Sequence, residues 1–172
     1  MKTFLAILAS SAAALAVQPL VLLLWAVFPY ILLGAELPWA QVGLMCLIAV
    51  LYAVPFVIFL GVPLTLLLHR IGRLKWWPLA LVGATAGAVF IGWNGPGGGA
   101  GFSSGGNWYG KYVDFIVDGK PTFYGWLSYL QSVASFALHG LAGATAYYLV
   151  WVRRMGPNNS PNTAPLRGAA TE

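Results

Sequence analysis

Four apolar runs, at residues 3–33, 39–68, 76–93 and 122–152, are separated by short charged, proline-containing or glycine-rich breaks. About 20 consecutive apolar residues are enough to cross the hydrocarbon core of a bilayer as a helix, so the pattern predicts four transmembrane helices. The first run holds no charge after Lys2. At ~1.5 Å per residue it would reach ~45 Å, which exceeds the ~30 Å core and calls for tilt or for a bend at Pro19 or Pro29. Its start, MKTFLAILASSAAALA, imitates a secretory signal with Ala14-Leu15-Ala16 as a cleavage site. The apolar character continues unbroken through VQPLVLLLWAVFPYILL, which favours an uncleaved first helix over a removed signal.

The breaks sort into three kinds. Gly34-Ala35-Glu36-Leu37-Pro38 is a tight connection and predicts an antiparallel hairpin of the first two helices. The second run carries Pro55 and Pro63, which mark bends tolerated in membrane helices because neighbours re-satisfy the freed carbonyls. His69, Arg70, Arg73 and Lys75 form the clearest charge cluster, and Pro78 suits the first turn of the third helix. From Asn94 to Gly110 the chain reads as a flexible, solvent-exposed glycine-rich linker. Its Gly95, Gly97 and Ala100 match G-x-G-x-x-A, but no βαβ context surrounds them and nucleotide binding is set aside. Apolar residues on both sides of Asp118-Gly119 predict a short β-hairpin of 112–117 and 121–124 within the external loop 94–121. The last 18 residues, 155–172, are polar with three prolines and predict a disordered tail after a 1–154 transmembrane domain.

Composition restricts the class further. The 172 residues are 59% hydrophobic and only 8% charged, with mean hydropathy +0.77. A soluble domain is about 25% charged, so lipid is the solvent for most of this chain. The +5 net charge is not gathered on one face, which argues against a nucleic-acid partner. Cys46 is the single cysteine, so an intrachain disulfide or a multi-cysteine metal site is excluded, and a buried small hydrophobe is its expected role. Lys2, Arg70, Arg73, Lys75, Arg153, Arg154 and Arg167 fall on one side of a four-span arrangement, with Lys111 and Lys120 on the other. The positive-inside rule then predicts an inner-membrane protein with both termini cytoplasmic and a periplasmic loop 94–121. Trp76, Trp77 and Trp151 fall at the predicted inner interface, and Trp39, Trp93 and Trp126 at the outer one.

Candidate chemistry gathers on the last helix. Ser128, Ser132, Ser135, His139 and Gly143 recur at spacings of 4, 3, 4 and 4, one helical face, with Gln131 beside it. His139 lies midway between Trp126 and Trp151, and unpaired polar groups at that depth cost several kcal/mol, so the face should turn inward. Expected partners are Gln18 and Ser11 on the first helix, Tyr52 on the second and Thr85 on the third. A neutral histidine joining helices, or one serving a proton or ligand, both suit this setting. No carboxylate lies in a span to orient the ring, which speaks against catalysis, and the two histidines belong to different depths, so no metal or cofactor is expected. Gly83-Ala84-Thr85-Ala86-Gly87 is a GxxxG stripe that, with Gly140 and Gly143, predicts close helix packing within the chain or between copies.

RIGRLKWW leading into a small-residue third span, then DGKPTFYGWLSYLQS leading into a Gly/Ala-rich last span, resembles the small four-span inner-membrane proteins of proteobacteria. The resemblance covers about residues 60–152, implies location and architecture, and brings no activity with it. The function expected is that of a non-enzymatic accessory or structural subunit acting by helix association, with the lipid bilayer, another copy or a membrane protein as partner. The alternative is a small transport or immunity-type protein with a polar seam around His139.

Overall fold

The computed structural model describes residues 1–32 and 39–156. The 34–38 connection, the tail from 157 and the charges Glu36 and Arg167 lie outside the described residues. The architecture is mostly helical, with three helices long and apolar enough to cross a membrane and one small three-stranded sheet. The first rod is α1 (Lys2–Leu22), a π-helical turn (Leu23–Val27) and α2 (Phe28–Leu32). The second, Trp39–Arg70, is α3 (Trp39–Phe56), a second π turn (Val57–Gly61) and α4 (Val62–Arg70). α5 (Trp76–Gly92) is shorter at 17 residues, and α6 (Phe123–Met155) runs for 33.

Of the four prolines expected to mark bends, Pro19 and Pro55 sit within regular α-helix, while Pro29 and Pro63 each follow a widened turn. In both rods the residue four before a proline, 25 before Pro29 and 59 before Pro63, sits at the centre of a π turn. A proline ring collides with the carbonyl of residue i−4 in a regular α-helix, and widening that turn relieves the clash. The second rod ends in a Schellman motif at Gly72 (φ +66°): Gly72 N–H donates to His69 O at 3.1 Å and Arg73 N–H to Leu68 O at 2.9 Å. That turn aims Leu74 into the core before α5 begins.

α5 and α6 pack antiparallel and almost backbone to backbone. A Cβ on Gly83 would meet Ala144 Cβ at 2.9 Å and the backbone of Gly140, and one on Gly87 would meet the Phe136 carbonyl. Gly140 is blocked reciprocally by Gly83. The GxxxG stripe thus joins two helices of one chain. α1 lies along the neighbouring face of α6 through a buried stripe of Ala6, Ser10, Ala14 and Gln18, at an i, i+4 spacing. Gly143, Tyr147 and Trp151 form the buried stripe of α6. Trp151 is 0% exposed, its ring 5.5 Å from His69 and 6.3 Å from Tyr147, so it is a core residue rather than the interfacial anchor expected of it. The other five, Trp39, Trp76, Trp77, Trp93 and Trp126, are exposed. The second rod differs from its neighbours, because no residue of α3 is buried.

The glycine-rich stretch corrects one expectation. β1 (Ser104–Trp108) lies inside the supposed linker and pairs antiparallel with β2 (Lys111–Val117), which pairs in turn with β3 (Lys120–Pro121). Both connections are two-residue turns with positive φ at each position: Tyr109 (+48°) and Gly110 (+87°), then Asp118 (+48°) and Gly119 (+74°). These match the turn type whose twist suits a hairpin. The remaining glycines fold over the second turn, where Asp118 Oδ1 accepts Gly101 N–H at 2.8 Å and Gly119 N–H donates to Phe102 O at 2.7 Å. Thr122 then caps α6, its Oγ1 accepting Gly125 N–H at 3.1 Å and donating to Asp114 O at 2.6 Å.

Candidate functional site

A cleft of about 480 Å³ separates the second rod from the α5–α6 pair. Its wall on the rod includes Met45, Phe56, Leu60 and Thr65, and its opposite wall includes Gly83, Phe90, Phe136 and His139. Aromatic rings bridge the two walls: Phe90 lies 5.8 Å from Tyr52, 5.5 Å from Phe56 and 5.9 Å from Phe136. α1 supplies Ala14, Gln18 and Leu22 along one side. Among the described residues no charged side chain lines the space.

The polar centre of this cleft is the pair Gln18–His139. His139 Nδ1 and Gln18 Oε1 are 2.8 Å apart, while Gln18 Nε2 donates to Ala14 O at 2.8 Å and to His139 O at 3.4 Å. Two carbonyls can be served only by the amide nitrogen, so Oε1 faces the ring and Nδ1 carries the proton given to it. In the neutral imidazole Nε2 is then an acceptor, and it has no partner among the described residues. Gly143 makes the pair possible: a Cβ there would stand 2.8 Å from Gln18 Nε2.

The predicted polar cluster is brought together only in part. Ser135 lines the cleft one turn from His139. Ser132 also lies on this helix but donates to Ser128 O at 3.0 Å, an i−4 bond within its own helix. Gln131 reaches outward instead and donates to Tyr109 OH at 2.6 Å, tying α6 to the sheet. Thr85 is exposed on the far side of α5 and has no part in the cluster. Tyr52 reaches the cleft as an aromatic wall, not as a partner of His139. Ser11 lies beside the Tyr147 hydroxyl rather than beside the imidazole. Cys46 is half-buried on the second rod.

A second polar group was not foreseen. Ser10, Thr65 and Trp151 are 0% exposed and Tyr147 3%, and their polar atoms, with His69 Nδ1, have no hydrogen-bond partner among the described residues. They lie on α1, α4 and α6, about two to three turns along α6 from His139 toward its basic end. The i, i+4 spacing of Ser10 with Ala14 and Gln18 was the signal available for it. Among the described residues no three His, Cys, Asp or Glu side chains gather in a metal-binding arrangement. No protein family, curated protein or solved structure matches this chain.

Proposed function

We propose that the chain is a four-span inner-membrane protein, with both termini cytoplasmic and the 94–121 loop periplasmic, that holds a molecule drawn from the bilayer in its cleft and does no chemistry on it. The seven-to-two division of Lys and Arg supports the orientation. α5 reaches only ~25 Å at ~1.5 Å per residue, and the exposed Trp93 beyond it supplies an interfacial end for a fourth span. The observation that carries the binding reading is the uncharged 480 Å³ cleft with Gln18–His139 set in its wall, within the size range of small-molecule sites. Binding is favoured over conduction because the other seam groups point elsewhere: Ser132 to its own helix, Gln131 to the sheet and Thr85 outward.

The test is to fill the cleft without touching its polar pair. Native mass spectrometry of the purified protein should show lipid adducts, and Ala53→Trp, on the rod's lining, should abolish them. Adducts that persist undiminished in that variant would remove the cleft from consideration. A second reading, an accessory subunit acting by helix association, is favoured by the second rod, whose Leu44, Leu47 and Leu51 are 56%, 57% and 59% exposed. Polar substitutions at these three positions should release a co-purifying partner if that reading holds.

A further inference from the structure

Two polar atoms on the α6 wall of the cleft specify a ligand more narrowly than its apolar walls do. His139 Nε2 has no hydrogen-bond partner among the described residues, and neither has Ser135 Oγ, one turn earlier on the same helix. Neither atom is sealed in protein, unlike the inner hydroxyls of Ser10, Thr65 and Tyr147. Serine in a helix commonly turns its hydroxyl back to the i−4 carbonyl, as Ser132 does here and as Thr145 does to Leu141 O at 2.8 Å. Ser135 makes no such bond, so its hydroxyl stays available to the cleft.

Resting on the cleft-binding reading, we propose that the occupant is an uncharged lipid with a hydroxyl head group, its O–H donating to His139 Nε2 and its oxygen accepting from Ser135. The demand for a donor follows from the tautomer: Nδ1 gives its proton to Gln18 Oε1, so Nε2 offers a lone pair. A lipid whose head holds only ester or ether oxygens would face that lone pair with another acceptor. A phosphate or carboxylate head is disfavoured for a different reason, since no Lys or Arg lines the cleft to compensate it. Depth agrees with both arguments. His139 lies at the midpoint of α6 (Phe123–Met155), which on the four-span reading is near the bilayer centre, where neutral alcohols can dwell and ionised head groups cannot without a large desolvation cost. The tail would lie along Met45, Phe56, Leu60, Phe90 and Phe136.

Three photoactivatable probes sharing one long alkyl chain with a diazirine test this: a primary alcohol, its methyl ether and its phosphate monoester. Each is offered to the full chain in phospholipid nanodiscs, and the labelled residues are mapped by mass spectrometry. The alcohol should label cleft-lining residues of the second rod and α6, the ether about five-fold less, as expected for one lost hydrogen bond, and the phosphate least. Ser135→Ala should lower labelling by alcohol and ether alike, by about five-fold. The paired variant Gln18→Leu with His139→Leu should erase the alcohol's advantage over the ether. Equal cleft labelling by alcohol and ether, or stronger labelling by the phosphate, would overturn the hydroxyl-lipid assignment and leave cleft binding standing. Absence of cleft labelling by all three would overturn both.

Discussion

α6 has two very different neighbours. Toward α5 it presents Gly140 and the Phe136 carbonyl, and the facing glycines leave no room for a single methyl group. Toward the second rod it presents Phe136, Ser135 and His139 across an open cleft, and α3 on the far wall has no buried residue. In lipid there is no hydrophobic drive between helices, so contact depends on how closely atoms can approach. The glycine seam therefore makes α5–α6 one rigid unit, with α1 fixed to it by Gln18 and a small-residue stripe. The second rod touches that unit chiefly through side chains and carries its own π turn. The difference separates a closely packed scaffold from a more loosely packed wall, and we expect that wall to be the more mobile of the two.

The harshest way to break the comparison is to put a side chain into the seam. Gly87→Leu would drive a Cβ into the Phe136 carbonyl, and backbone cannot swing away as a side chain can. A loss of about 3 kcal/mol or more is expected, read as unfolding at lower denaturant in mixed micelles. A Cβ at Gly43, on the second rod, meets nothing within 4 Å, so Gly43→Leu should leave stability nearly unchanged.

Next in size is the polar pair. Gln18→Leu leaves His139 Nδ1 without its 2.8 Å partner and should cost about 1–3 kcal/mol, the penalty for a stranded buried group. Adding His139→Leu should return part of that loss, because two apolar side chains need no partners. A double-mutant cycle giving additive losses would mean that the two residues are not coupled. The cleft's outer bridge is expected to matter less for stability and more for motion. Phe90→Ala removes three aromatic contacts, and spin-label distances from the second rod to α6 should broaden while those from α5 to α6 stay narrow. Equal broadening across both pairs would contradict a rigid seam beside a mobile wall.

Much of the scaffold was legible because its signals are local and redundant. Apolar run lengths mark the helices, GxxxG marks the seam, and Asp118-Gly119 marks a hairpin turn. The features that escaped depend on geometry that a linear pattern carries weakly. Ser104–Trp108 is two-fifths glycine and turns at Tyr109-Gly110, so neither strand composition nor the usual Asn-Gly or Asp-Gly turn announced it. Pairing Gln18 with Ser11 assumed a seven-residue repeat, whereas α1 buries every fourth residue and so selects Ser10. Trp151 was assigned to the interface by residue type, but Gly143 and the small stripe of α1 create space along that face which large side chains then fill.

Thr85 offers the smallest expected effect and tests the logic of that misreading. At about 100° per residue, a position two residues from Gly83 points roughly 200° away from it on the helix. Gly83 and Gly87 both face α6, so Thr85 must face the opposite side, and it is exposed there. A place for Thr85 in the His139 cluster and a place for Gly83 and Gly87 in the seam call for opposite faces of one helix. Thr85→Val should change stability by no more than about 0.5 kcal/mol and leave cleft labelling intact. Ser135→Ala alters a side chain of similar size but should reduce labelling if the lipid head group is bound as proposed, because Ser135 lines the cleft. A large effect at Thr85 would mean that α5 is rotated about its axis relative to the Gly83–Gly140 register, and the seam and the cleft would both have to be redrawn from that point.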